Sequence, residues 1–324
     1  GRLIMRAVRL HEHGGAEVLQ VDEIDRPEVG AHRVLIEVAA AGVNPVDTYF
    51  REGSYDPFEL PYTPGVDFAG TVVEAGGHVS GFDPGDRVFG TGLGGGYHGG
   101  YREFADVPAD RVVPLPDGVD PVEAGAAGVV SGTSWRALVD HADLEPAEHC
   151  LIHGGSGGVG HAAVQIAAAM GAHVITTADP RYHDELEALG ADAVFDYARE
   201  DLAEAVLDAS DGGVDVILDH RLDDYLQFDA DVAATGARVV GIGENDPVIG
   251  LDNDGVARSK DVGYQFMSMF NTPDLRVPLE GVGFLMAQGD LSIHIADQYG
   301  LDEAAEAQRA VMEDSFLGKL VIVP

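Results

Sequence analysis

Closely spaced turn residues divide the first 120 residues into short apolar runs. Residues 33–38 and 70–75 are rich in Val, Ile and Leu, and residues 87–90 and 101–107 add two further runs of strand-forming side chains. Glycines and prolines interrupt the pattern too often for long helices. This spacing is typical of a small antiparallel β domain.

The spacing of apolar residues along the chain changes after residue 120. Residues 121–141 read as helical, and from there apolar strand-like runs alternate with amphipathic segments. The predicted strands cover 150–153, 174–177, 193–195, 214–218 and 238–243, and the predicted helices cover 162–170, 184–189 and 201–209. Alternation at this spacing predicts a doubly wound parallel sheet, so the chain belongs to the α/β class. A helix over 303–312 and a strand over 319–323 close the chain.

A glycine-rich turn lies between the first predicted strand of this second region and the helix that follows. Its sequence is G-x-G-x-x-G, a motif that is weak alone but stronger between a strand and a helix opening near His161. Glycines let the backbone approach a pyrophosphate, and the helix N-terminus offers free N–H groups. The alternative is a tight turn that binds nothing. The residues concerned are Gly155, Ser156, Gly157, Gly158, Val159 and Gly160.

The end of the next strand bears on the choice between NAD and NADP. An acidic residue there binds the ribose 2′-hydroxyl, whereas a basic neighbour accommodates a 2′-phosphate. The expected acidic position holds Ala178, with Asp179 one residue late, and Arg181 and Tyr182 could meet a phosphate. We interpret Asp179 as a helix N-cap before Pro180. NADP(H) is therefore preferred over NAD(H).

Charge narrows the possible partners. The chain has 56 acidic and 19 basic residues, a formal net charge of −37, and its two lysines are Lys260 and Lys319. A nucleic-acid partner or an anionic membrane surface would need a positive footprint, so we expect neither. Such acidity with almost no lysine favours a halophile with a salt-rich cytoplasm, where carboxylate repulsion is screened. The single cysteine, Cys150, excludes an intrachain disulfide and a multi-cysteine metal site.

Several motifs occur in an order that resembles the quinone oxidoreductase branch of the medium-chain dehydrogenase/reductase superfamily, the zeta-crystallin-like proteins. The resemblance covers nearly the whole chain from Met5. It implies a GroES-like catalytic domain over 1–120, completed by 285–324, and a Rossmann NADP(H)-binding domain over 121–284. It also implies a homodimer, which we expect to form through edge strands of the Rossmann sheet. The matching segments are 41–49, 51–53, 60–70, 84–88, the 156–160 loop, 190–192 with Tyr197, and 318–321.

The resemblance extends the expected cofactor site beyond the glycine loop. It places Tyr182 and Tyr197 at the 2′-phosphate together with Arg181. The other residues that it adds to the cofactor site are Thr133, Thr177, Ile242, Gly243 and Lys319.

Zinc-dependent members of the superfamily carry a cysteine near residue 43 and a His–Glu pair where Val66 and Asp67 stand here. The histidines of this chain show no paired spacing, so we expect no metal. A zinc-free enzyme must polarise its acceptor by hydrogen bonds, and the resemblance places Asn44 and Tyr49 beside the nicotinamide. The alternatives are that Asn44 caps a turn and that Tyr49 packs in the core.

The leading hypothesis is an NADPH-dependent, zinc-independent reductase of small-molecule quinones or related conjugated carbonyls, located in the cytoplasm. Two alternatives stay open. One is an enoyl-thioester reductase of the same superfamily, and the other is a non-catalytic NADPH-binding structural protein. One departure from the family pattern is the run Asp219-His220-Arg221, where the family carries valine and two glycines after the acidic residue.

Overall fold

The computed structural model describes residues 2–56 and 59–324. The chain forms two compact units, Gly1–Gly132 with Pro273–Pro324, and Thr133–Thr272. The first unit is therefore built from two separate stretches of sequence. Its junctions with the second unit lie near residues 132 and 272, whereas the sequence places them at 120 and 284.

The first unit is β-rich, with a two-stranded antiparallel sheet (β1–β2) and a seven-stranded sheet in the order β14-β15-β3-β4-β5-β7, in which β6 also pairs with β3. Helix α2 begins in this unit and runs into the second. The elements are β1 (Ile4–Arg9), β2 (Gln20–Asp25), β3 (Arg33–Val43), α1 (Pro45–Glu52), β4 (Phe68–Ala75), β5 (Arg87–Gly90), β6 (Phe104–Pro108), β7 (Val112–Pro114), α2 (Pro121–Trp135), α8 (Arg276–Gln288), β14 (Ile295–Tyr299), α9 (Ala304–Glu313) and β15 (Lys319–Ile322).

Helix α1 is an element of the first 120 residues that the turn-rich sequence pattern does not predict. Its first residue is Pro45, whose fixed φ suits the start of a helix. The Asp47 carboxylate accepts a hydrogen bond from the backbone N–H of Asn44, the N-cap residue, at 2.9 Å. The helix ends at Gly53, which has a φ of +86°. The prediction of strands and turns alone was wrong here, because these capping residues start a short helix.

The second unit contains one six-stranded parallel sheet in the order β10-β9-β8-β11-β12-β13. In order of appearance within the unit this is 3-2-1-4-5-6, the Rossmann order, which confirms the predicted fold class. A π-helical turn, Arg136–His141, continues α2. The elements are β8 (His149–Ile152), α3 (Gly158–Ala169), β9 (His173–Thr177), α4 (His183–Ala188), β10 (Ala193–Phe195), α5 (Leu202–Ala209), β11 (Val214–Asp219), α6 (Leu222–Val232), β12 (Ala233–Gly241), α7 (Asp254–Ser259) and β13 (Gly263–Phe266).

Helices pack on the sheet through buried apolar side chains, of which Leu151, Ile217 and Val239 come from three neighbouring strands. Strand β8 lies between β9 and β11. The connections from β8 and β11 leave in opposite directions along the sheet, so the carboxyl ends of these two strands form the topological switch point where such sheets bind ligands. No helix in the described ranges is long and apolar enough to cross a membrane.

Candidate functional site

The glycine loop occupies the β8 side of the switch point. The Gly155 N–H donates to the Thr177 carbonyl at 2.8 Å, and the Gly154 N–H donates to the Thr177 hydroxyl at 3.1 Å. These bonds connect the loop to the end of β9, so Thr177, an expected cofactor residue, supports the loop. Helix α3 begins at Gly158, three residues earlier than the sequence predicts. Its first turn therefore falls within the loop, with free N–H groups that suit an anion.

The three motif glycines are required for different reasons. A Cβ on Gly160 would lie 2.0 Å from the Gly154 carbonyl oxygen, and a Cβ on Gly155 would lie 2.3 Å from the Thr176 hydroxyl. Both positions therefore need glycine for packing within the chain. A Cβ on Gly157 would meet only the Gly154 carbonyl oxygen, at an ordinary 3.5 Å. The chain itself does not require glycine at 157, and a ligand lying against the backbone there would. The loop thus fits a dinucleotide.

The turn after β9 carries the residues expected at the ribose. Asp179 caps the short helix Pro180–Tyr182 and accepts from the Arg181 N–H at 3.0 Å, which confirms its interpretation as an N-cap. The Arg181 N–H bond lowers the pKa of the Asp179 carboxyl. The Arg181 guanidinium lies 3.2 Å from Asp179 and 5.0 Å from the ring centroid of Tyr182. Tyr197, just beyond β10, is 54% exposed.

The other expected cofactor residues of this unit lie on different elements. Thr133 is buried in α2. Ile242 and Gly243 follow β12, where the Ile242 N–H donates to the Asp219 carbonyl at 2.9 Å and the Leu222 N–H donates to the Gly243 carbonyl at 3.0 Å. These two bonds attach the 242–243 segment to the end of β11, so it lies at the carboxyl edge of the sheet.

A buried polar network organises the first unit around Asn44. The Asn44 side-chain amide donates to Asp67 Oδ2 at 2.8 Å, and its carbonyl oxygen accepts from Lys319 Nζ at 2.6 Å. Lys319 Nζ also donates to the Val43 carbonyl at 2.7 Å. Asp67 Oδ1 accepts from the Thr91 hydroxyl and the Val129 N–H. Asn44 and Lys319 are only 1% and 3% exposed, so both side chains of these expected site residues are committed to the network.

Helix α1 carries Asp47 and Tyr49, of which Asp47 adjoins this network. Asp47 accepts from the Asn44 and Val66 N–H groups, and burial raises the pKa of its carboxyl to about 7. Tyr49 is half-buried, and its ring makes an edge contact with Tyr55 at 5.6 Å. Burial raises the pKa of the Tyr49 phenol, which keeps the hydroxyl protonated and able to donate a hydrogen bond.

The residues around Asp67 do not fit a zinc ion. A catalytic zinc needs three N, S or O ligands and an open position. Here both Asp67 oxygens accept hydrogen bonds, and the Lys319 ammonium donates to Asn44 Oδ1, the side-chain oxygen next to Asp67 in the network. Over residues 2–56 and 59–324, three or more metal-type ligand atoms come within 4.8 Å of one another in a single place, which belongs to the second unit.

That place is a buried cluster of His153, Asp219 and Asp229, which the sequence-based reasoning missed. His153 precedes the glycine loop, Asp219 ends β11, and Asp229 lies in α6. Their spacing along the chain follows no known motif. The available signals were the alignment of two parallel strand ends and the unusual residues after Asp219.

Comparison with known protein families gives one match in the N-terminal part of the chain and another in the C-terminal part. Residues 30–117 match the family described as the alcohol dehydrogenase GroES-like domain, and residues 189–322 match the zinc-binding dehydrogenase family. Among solved structures, a NAD-dependent alcohol dehydrogenase superposes with a TM-score of 0.91 at 28% identity, covering 99% of this chain and all of that one. The Escherichia coli quinone oxidoreductase complexed with NADPH superposes with a TM-score of 0.86 at 26% identity, covering 98% and 100%.

Curated relatives give the closer functional parallel. The mouse quinone oxidoreductase is 35% identical over all of this chain and 99% of its own length. A phenolphthiocerol/phthiocerol polyketide synthase protein of Mycobacterium tuberculosis is 32% identical over 98% of this chain, but over only 15% of its own length. The full-length similarity, the Rossmann strand order and the match to the GroES-like domain all indicate the same family. The chain is therefore an oxidoreductase of the quinone oxidoreductase family, within the medium-chain dehydrogenase/reductase superfamily.

Proposed function

We propose that the chain is an NADPH-dependent, zinc-independent reductase of small-molecule quinones or related conjugated carbonyls. The observation that carries the proposal is the glycine loop at the switch point, where Gly157 leaves its backbone open to a ligand. A bound nicotinamide supplies hydride. Quinones accept hydride more readily than simple ketones, so a site that polarises its acceptor by hydrogen bonds alone suits them.

Within the first unit we assign different roles to the two expected catalytic residues. Tyr49 is half-buried and protonated, so its hydroxyl is our candidate donor to the developing oxyanion. Asn44 bonds Asp67 and Lys319 through its two side-chain polar atoms, and we propose that it positions the start of α1 rather than contacting substrate. Lys319, which we expected at the cofactor, has the same positioning role.

We propose NADP(H) as the preferred cofactor. Arg181 and Tyr182 support the proposal because a guanidinium stacked on a ring at the end of β9 suits a 2′-phosphate. The Asp179 carboxylate, which pairs with Arg181, favours the alternative, NAD(H), because it could bind a ribose hydroxyl instead.

Two other functions stay open as alternatives. An enoyl-thioester reductase gains support from the similarity to the polyketide synthase, but a carrier phosphate would need basic residues that this chain largely lacks. A non-catalytic NADPH-binding protein would keep the loop and lose turnover.

We also propose a homodimer and a salt-rich cytoplasmic location. Strand β13 is an edge of the parallel sheet, and its last residue, Phe266, is 56% exposed. An exposed edge of this kind suits pairing with a second copy of the chain. Light scattering in molar KCl tests this, because a monomeric mass would contradict it.

A panel of acceptors tests the proposed reaction. Purified protein in molar KCl is mixed with NADPH and, in separate assays, with quinones, a conjugated enone and an enoyl thioester. Preferential turnover of quinones or the enone supports the proposal, and Tyr49→Phe should lower kcat with little change in cofactor affinity. Faster turnover of the thioester would favour the first alternative, and tight NADPH binding without turnover would favour the second.

A further inference from the structure

Two buried carboxyl groups lie together beside His153, the residue that precedes the glycine loop. His153 directly follows β8 and Asp219 is the last residue of the adjacent parallel strand β11, and the His153 N–H donates to the Leu218 carbonyl at 3.1 Å. Asp229 reaches them from α6, where its Oδ1 lies 2.7 Å from His153 Nε2. One carboxyl oxygen of each aspartate and one ring nitrogen of His153 lie within 4.8 Å of one another, and both aspartates are fully buried.

The cluster contains two buried carboxyl oxygens that have no hydrogen-bond donor in the described part of the chain. Asp219 Oδ1 accepts from the Arg221 N–H at 2.7 Å, and Asp229 Oδ1 pairs with His153. The Oδ2 atoms of both aspartates are buried and have no hydrogen-bond partner among the described residues. Two buried carboxylates cannot both ionise at this separation without a large penalty. A single proton held between the two carboxyl groups would give these oxygens a hydrogen bond and would remove one of the two charges.

The groups that face the pair do not supply a compensating cation. The His153 ring is stacked on Tyr225 at 4.4 Å, and burial lowers the pKa of the imidazole to about 4, so the ring is neutral. Arg221 pairs with Asp224 instead, and His220 packs against Gly154 of the loop. From β13, Tyr264 contributes a buried hydroxyl. Burial and the neighbouring Asp229 raise the pKa of the Asp219 carboxyl to about 8, and burial raises that of Asp229 to about 7.

We propose that His153, Asp219 and Asp229 form a proton-carrying positioning cluster for the dinucleotide loop, in which loss of the shared proton weakens cofactor binding. This rests on the proposed dinucleotide site. When the pair is protonated it carries one negative charge. Asp229 then holds His153, and through it the loop that follows, in place. Deprotonated, the pair carries two negative charges at the edge of the sheet that we assign to a pyrophosphate, and like charges repel.

The test measures the affinity for NADH from pH 6 to pH 9 by fluorescence titration, at a fixed salt concentration in which the chain is folded. NADH is the probe because it lacks the 2′-phosphate, which itself titrates near this range. We expect the affinity to fall by about three- to tenfold as pH rises. One additional charge on the order of 10 Å away, at an effective dielectric constant near 20, sets an upper bound of about fifteenfold, and the salt in the assay screens part of this interaction. In Asp229→Asn, which keeps the shape but cannot ionise, the pH dependence should disappear.

Two controls separate this cluster from general charge effects. Asp231→Asn removes an exposed carboxylate two residues after Asp229 on the same helix. This variant should show the same pH dependence of NADH affinity as the wild type. Infrared spectra should show a protonated carboxyl at neutral pH that is lost in Asp229→Asn, a readout that needs no cofactor.

Three results would overturn the inference. These are a flat affinity in the wild type with binding intact, an unchanged pH dependence in Asp229→Asn, or stoichiometric divalent metal in the purified protein, because a metal would replace the proton. Failure to bind NADH and NADPH at every pH would instead contradict the proposed function.

Discussion

At the residue scale, the glycine loop shows that the glycines of one motif can be required for unrelated reasons. Gly155 and Gly160 are fixed by contacts inside the chain, whereas Gly157 is free to carry a side chain until a ligand arrives. The sequence predicts the motif and its cofactor but cannot separate these reasons, because spacing alone does not show which backbone atoms approach. The distinction has a measurable consequence.

Replacing Gly157 should remove cofactor binding without unfolding the chain. In Gly157→Val the side chain has room in the protein but occupies the space of a bound pyrophosphate, so NADPH affinity should fall by about a hundredfold or more, equivalent to about 2.7 kcal/mol. Gly160→Ala is the matched contrast, since its Cβ would meet the Gly154 carbonyl at 2.0 Å and should lower the melting temperature instead. Fluorescence titration and thermal melting of both variants check this. Unchanged NADPH binding in Gly157→Val would remove the loop from the cofactor site.

Arg181 should determine the choice between the two nicotinamide cofactors. A charge-assisted bond to a 2′-phosphate is worth about 1.5–3 kcal/mol, so Arg181→Ala should weaken NADPH by about ten- to a hundredfold. NADH lacks this phosphate and should change little. Parallel titrations with the two cofactors measure the difference, and an equal loss for both would contradict the role.

At the scale of elements, the first unit depends on a helix that the sequence pattern did not predict. Helix α1 is short, and its start is fixed by Asn44, Asp47 and the strand β15, which brings Lys319 from the far end of the sequence. Periodicity predicts long helices and alternating strands well, as it did for five of the six strands of the parallel sheet, β13 being the strand that it missed. It could not predict α1 or the cluster of His153, Asp219 and Asp229, because each depends on residues that only the folded chain brings together.

Removing Lys319 should destabilise the first unit strongly. Lys319→Met leaves Asp67 buried without its nearby cation, and breaking one partner of a buried charge set costs about 3–5 kcal/mol. The other lysine gives a control, since Lys260→Met removes bonds from Nζ to the Ala230 and Asp231 carbonyls at the end of α6 and should cost about 1 kcal/mol. Denaturant unfolding at fixed salt compares the two. Equal losses would show that the network around Asn44 is not specially dependent on its ammonium group.

At the scale of the whole molecule, the dominant property is the net charge of −37. The compact state brings carboxylates closer together than the unfolded chain does, so repulsion acts selectively against folding. The Debye length is about 30 Å at 0.01 M salt and about 3 Å at 1 M, so molar salt screens most of this repulsion. The sequence alone was sufficient for this conclusion, since it depends on composition rather than on contacts.

We therefore expect the melting temperature and the turnover rate to rise together between dilute buffer and molar KCl. Screening of exposed carboxylates supplies the physical reason, and salts excluded from the protein surface add to apolar burial. Calorimetry and steady-state assays over a KCl series check both quantities. A melting temperature that stays flat over the series would contradict the proposed salt-rich cytoplasm and leave the cofactor site untouched.

Quinone-dependent oxidation of NADPH shows directly whether the chain is a zinc-independent quinone reductase. The absorbance of NADPH is followed with 1,4-naphthoquinone in molar KCl, with and without a metal chelator, for the wild type and for Gly157→Val. We expect saturable turnover by the wild type that the chelator does not change and that Gly157→Val loses. Binding of NADPH without quinone-dependent oxidation, or turnover that disappears with the chelator, would contradict it.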